Sequence, residues 1–142
     1  MILKIKNIFL ILAALPLFYS CDQDSFVFDV NCDECFIEKP DSADLIIYLT
    51  INEDNPYVPL RFYRGEVEEN VVEWVDTAYS ETFYLYSPVD EYYSLEAKYL
   101  RGSDTIVVVD GDKLKTNQVS DVCDTDCWII RGGIMNARLR SE

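Results

Sequence analysis

Residues Tyr92 to Leu100 (YYSLEAKYL) alternate without a break. Tyr93, Leu95, Ala97 and Tyr99 fall on one side; Tyr92, Ser94, Glu96 and Lys98 fall on the other. Successive side chains of an extended chain point to opposite faces, so this pattern makes a strand with one buried and one wet side. Such a strand cannot stand alone. It needs neighbours to complete its hydrogen bonds and a second layer to cover its apolar face.

The rest of the chain supplies candidates for both. Leu45 to Ile51 (LIIYLTI) is β-branched and aromatic with no helical spacing, and Asn52-Glu53-Asp54-Asn55-Pro56 ends it with turn formers. Tyr57 to Arg64 sets Leu60 and Phe62 against Arg61 and Tyr63, with Pro59 marking a sheet edge. Val71 to Thr77 has two competing registers, Val72 with Trp74 or Val71 with Val75. Thr82 to Tyr86 opposes Phe83 and Leu85 to Thr82, Tyr84 and Tyr86. Arg101 to Asp104 turns the chain into Thr105 to Val109. Asp110-Gly111 then predicts a type I′ hairpin, whose two central residues need positive φ, with Asp112 to Thr116 returning alongside. Cys127 to Arg131 and Ile134 to Leu139 flank a further predicted hairpin at Gly132-Gly133. About eight short strands spaced roughly ten residues apart predict an all-β fold, an antiparallel β-sandwich. The Tyr93–Tyr99 run, its turn and Thr105–Val109 resemble late strands of immunoglobulin-like and transthyretin-like modules. That resemblance implies a sandwich and no particular activity, because such folds host many unrelated functions.

The N-terminus carries Lys4 and Lys6 and no acid, followed by an almost continuously apolar stretch from Ile8 to Tyr19. A basic start and a short apolar middle are parts of a secretory signal, and the run is short for a membrane span. It ends in Leu15-Pro16-Leu17-Phe18-Tyr19-Ser20-Cys21, which resembles the cleavage region of bacterial lipoproteins. The resemblance implies cleavage before Cys21 and fatty acylation of that cysteine. The acidic residues that follow (DQDSFVFDVN) resemble signals that send lipoproteins to the outer cell face. The expected organisation is a signal peptide over 1–20, an acidic lipidated tether over 21–31 and one β-sandwich domain over 32–142. The expected location is the outer membrane, at the cell surface.

Cleavage removes two lysines from the 12 basic residues and leaves all 26 acids, a formal charge of −16. Nucleic acid is excluded as an expected partner, since its binding relies on basic side chains neutralising phosphate. Histidine is absent, which removes the commonest general base and the Ser-His-Asp arrangement. No Gly-rich loop cradles a phosphate, and Asp121 to Asp126 lacks the glycine and distal glutamate of an EF-hand loop. Glu73 and Glu96 read as solvated acids on a wet face, since a glycosidase pair is defined by geometry. The chain is expected not to be an enzyme and to use no cofactor or metal.

Cys32-Asp33-Glu34-Cys35 and Cys123-Asp124-Thr125-Asp126-Cys127 form two close pairs. In an exported chain Cys32, Cys35, Cys123 and Cys127 are expected in disulfides; a four-thiolate zinc site and a redox pair are the alternatives. Spacing leaves the connectivity open, within each pair or between them. Tyr63, Tyr84, Tyr86 and Tyr92 are expected to point away from the core. They either stabilise the sheet through cross-strand pairing or offer a binding surface. Two functions follow: a membrane-anchored envelope module that contacts protein, or a surface module that binds glycan through these tyrosines.

Overall fold

A computed structural model describes residues 30–140. The expected signal peptide, Cys21 and the expected tether up to residue 29 lie outside the described residues. From Asn31 onward the chain forms one compact unit. Its strands are β1 (Ser42–Tyr48), β2 (Val58–Arg64), β3 (Val72–Ala78), β4 (Thr82–Pro88), β5 (Glu91–Arg101), β6 (Asp104–Val119), β7 (Cys127–Arg131) and β8 (Ile134–Asn136). Among the described residues the only helical turns are 3-10 turns at Cys32–Glu34 and Val67–Glu69.

Two sheets face each other, ordered β4-β1-β8 and β3-β2-β5-β6-β7. The all-β sandwich expected from the alternation is the observed fold. One pairing departs from the antiparallel expectation: β8 runs parallel to β1, with Ile46 beside Ile134 and Tyr48 beside Asn136. Tyr93, Leu95, Ala97 and Tyr99 are buried, as their period predicts. They meet Leu45, Ile47 and Met135 of the smaller sheet, and Phe83 and Leu85 pack at the margin of this core. The Phe62 and Phe83 rings bridge the sheets at 5.9 Å between centroids. The buried tyrosines also hold backbone across the sandwich. Tyr99 donates its hydroxyl to the Ala137 carbonyl at 2.6 Å and accepts from the Thr50 N–H at 3.2 Å. Tyr93 donates to the Pro88 carbonyl at 2.9 Å.

The ambiguous register of Val71 to Thr77 has a structural cause. The pairing of β2 with β3 shifts between Phe62 and Tyr63, which face Trp74 and Val72, so Glu73 is an extra residue at a bulge. A bulge changes which face later residues occupy, and a single period cannot describe such a segment.

Asp110-Gly111 is not a hairpin. β6 continues straight through it, with Asp110 opposite Leu95 and Gly111 opposite Ser94. A Cβ at Gly111 would come within 2.5 Å of the Tyr92 hydroxyl, so the glycine makes room for that ring. The flanking acids face the other sheet. Asp112 accepts from the Ile134 N–H at 3.0 Å and Asp110 from the Asn136 N–H at 2.6 Å. They satisfy edge donors of β8 and clasp the two sheets. Gly132-Gly133 is a tight link but not a hairpin either, since β7 and β8 belong to different sheets. Both glycines have positive φ, and a Cβ at Gly132 would run into the Lys113 carbonyl.

Candidate functional site

The four tyrosines singled out by alternation do not share a face. Tyr63 and Tyr92 belong to the five-stranded sheet, Tyr84 and Tyr86 to β4 of the smaller one. Tyr63, expected to be exposed, is only 2% exposed. Its hydroxyl donates to the Glu96 carboxylate at 2.9 Å, and burial followed by that carboxylate pushes its phenol pKa up. Tyr92 is half-buried over Gly111, and its pKa is raised by burial and then by the charges of Glu66, Asp110 and Asp112. Both rings complete their own sheet. Tyr84 and Tyr86 are different: they are 61% and 70% exposed on the outer face.

Register shows what surrounds them. Tyr84 lies beside Ile46, which lies beside Ile134, so one row crosses β4, β1 and β8. In the next rows Tyr86 faces Asp44, and Thr82, Tyr48 and Asn136 line up. The Arg138 guanidinium lies 4.8 Å from the Tyr48 ring centroid and ends the patch. Ile134 is exposed, while Ile46 and Tyr48 are half-buried between their neighbours. The outcome is one aromatic and aliphatic surface with Asp44, Asn136 and Arg138 at its margins. Ile46, Tyr48, Ile134 and Arg138 were not picked out from sequence. The alternation of Leu45, Ile47 and Leu49 against Ile46 and Tyr48 carried the signal for two of them. The parallel neighbour β8 had no local signature.

The cysteine connectivity runs between the two pairs. Cys32 is bonded to Cys123 and Cys35 to Cys127, with Cα separations of 5.8 and 5.6 Å. These bridges fasten the N-terminal arm to the β6–β7 loop and to β7. Phe36 adds two backbone hydrogen bonds to Trp128, at 2.8 and 2.7 Å. The sulfurs of Cys35, Cys123 and Cys127 lie within 4.8 Å of one another, so the bridges are adjacent. Lys39 continues the arm, pairing with Asp90 at 2.7 Å and sitting 5.5 Å from the Trp128 ring.

Glu73 and Glu96 are engaged separately. Glu73 pairs with Arg64, whose Nε donates to it at 2.9 Å, while Glu96 accepts from Tyr63. No family model, curated protein or solved structure matches this chain.

Proposed function

We propose that this chain is a non-catalytic cell-envelope module, tethered to the outer membrane by a lipid on Cys21, that binds a protein partner through the outer face of β4-β1-β8. The row Tyr84–Ile46–Ile134 carries this reading. Tyrosine and arginine are enriched where proteins meet, and a central apolar strip with a polar margin is the usual arrangement of such contacts. The two isoleucines favour protein over glycan, because sugars stack on flat rings and gain less from branched aliphatic groups. A glycan is the competing ligand for the same face, supported by the two exposed rings of β4. The acidic body suits a domain held at a membrane by its anchor and kept in water by its charge.

The test is retention of the full chain on separated envelope proteins and on immobilised glycans. Tyr84→Ala with Tyr86→Ala is expected to abolish retention on protein while costing about 1 kcal/mol or less in stability, as for exposed side chains. Unaltered protein binding by this variant would overturn the reading. Binding to glycan alone would transfer the face to the competing ligand.

A further inference from the structure

The N-terminal arm and the β6–β7 loop bring the four described cysteines to one place. The sulfurs of Cys35, Cys123 and Cys127 lie within 4.8 Å of one another, and the Cys32 sulfur is bonded to that of Cys123. Among the described residues no carboxylate joins this cluster. Cys127 is buried, and Cys35 and Cys123 are half-buried. The spacings, Cys-x2-Cys and Cys-x3-Cys, are those that recur in structural zinc sites. The two segments are also held together by more than the bridges. Phe36 and Trp128, the neighbours of Cys35 and Cys127, exchange two backbone hydrogen bonds of 2.8 and 2.7 Å. Cys127 pairs with Val119 of β6, and Lys39 of the arm pairs with Asp90. Opening the bridges therefore leaves four thiols facing one another.

We propose that the reduced chain binds one zinc ion through Cys32, Cys35, Cys123 and Cys127, so that the same sulfurs serve either as two disulfides or as one tetrahedral metal site. Zinc holds thiolate sulfur at about 2.3 Å, which places neighbouring sulfurs about 3.8 Å apart. Bonded sulfurs are about 2.0 Å apart, so each withdraws by roughly 1 Å when its bridge opens into such a site. The neighbouring sulfurs, already within 4.8 Å, close in by a similar amount. A ligand set made only of sulfur selects a soft tetrahedral ion over calcium or magnesium, which take oxygen. The conversion balances with a dithiol as reductant. Two dithiol molecules each give two electrons and two protons to one bridge and become disulfides; the four thiols formed release their protons as zinc binds. The oxidised chain, whose four sulfurs are all bonded to one another, does not bind the ion. In either state the arm stays fastened to β7, because the free energy of metal binding goes into holding the two segments together. The site uses no residue of the β4-β1-β8 face and does not depend on it.

The test uses the full chain carrying Cys21→Ser, which removes the fifth cysteine as a ligand. It is reduced with a dithiol, freed of that reductant without air, and titrated with Co²⁺ as the spectroscopic probe and Zn²⁺ as its competitor. The expected result is one Co²⁺ per chain, with the intense visible absorption of a tetrahedral four-thiolate site, displaced by one equivalent of Zn²⁺. Serine in place of any one of the four cysteines should change that spectrum and weaken zinc binding at least about tenfold. Zinc should also raise the denaturant midpoint of the reduced chain and leave that of the oxidised chain unchanged. This measurement needs no further substitution, so it decides the question even where a serine variant fails to fold. Tyr84→Ala should alter none of these results, which separates failure here from failure of the protein-binding face. No stoichiometric site in the reduced chain, or a spectrum of fewer than four thiolates, would overturn the proposal. So would equal zinc binding by the oxidised chain, or an ion that joins two chains instead of closing within one.

Discussion

Asp90 illustrates how a single residue joins three parts of the molecule. It sits in the two-residue link Val89-Asp90 between β4 and β5 with φ at 64°, a conformation that aspartate tolerates better than most residues. Its carboxylate meets Lys39 from the N-terminal arm and accepts from the Thr116 N–H and hydroxyl, at 3.0 and 3.1 Å, on β6. The Lys39 ammonium, and after it the Thr116 N–H, hold its pKa down to about 2 from 3.8. A carboxyl group whose pKa is depressed on folding stabilises the fold above its unfolded pKa and loses that contribution as pH falls through the folded one. Denaturant midpoints should therefore decline between about pH 4 and pH 2. Lys39→Met, which keeps an alkyl chain near Trp128, should make that part of the decline shallower. Superimposable pH profiles would show that the pair contributes nothing. No local pattern announces this pair, since Lys39 and Asp90 are separated by 51 residues.

At the scale of strands, legibility followed locality. The run from Tyr92 to Leu100 was readable because one strand with one wet side writes its period directly into the sequence. Asp110-Gly111-Asp112 was misread because the residues that favour a hairpin serve here for another reason. Gly111 admits the Tyr92 ring, and the two aspartates reach β8, which follows more than 20 positions later. Tyr63 failed similarly: alternation assigns a side of the sheet but does not say whether neighbours cover it. The clasp gives a specific expectation. Asp112→Ala should leave the Ile134 N–H without its acceptor and speed its hydrogen exchange by about tenfold or more, as expected for a lost bond to a charged group. Amides in the middle of β5 should be unaffected. Equal exchange at Ile134 in both proteins would mean that β8 is held by β1 alone.

For the whole molecule, the disulfides set the order of consequences. Cys32–Cys123 spans 91 residues and Cys35–Cys127 spans 92. On the chain-entropy account, closing a loop of that length stabilises by about 4–5 kcal/mol. The second bridge adds less, about 2.5 kcal/mol, because once the first has formed its cysteines lie only 35 − 32 = 3 and 127 − 123 = 4 residues away and close a small ring. Replacing Cys32 with Cys123, or Cys35 with Cys127, by serine should each cost about 2.5 kcal/mol in a denaturant titration. Replacing all four should cost about 7 kcal/mol, more than the sum of the two single losses. Additive losses from the two pairs would contradict nested closure. The sequence indicated oxidation and left this connectivity open, because proximity of chain ends is a property of the folded sandwich.

The sandwich turns one face of its smaller sheet outward with Tyr84, Ile46 and Ile134 in a row, and the proposed function rests on that face meeting a protein. The direct measurement is site-specific photocrosslinking in intact cells, with the photoreactive residue placed at Tyr86 or, as a comparison, at Lys98 on the outer face of the other sheet. A discrete protein adduct formed from position 86 and absent from position 98 is the predicted result, and the adduct should disappear when Ile46→Asp is combined with the label. No protein adduct from position 86, or the same adducts from both positions, would contradict the assignment of this face as the partner-binding surface.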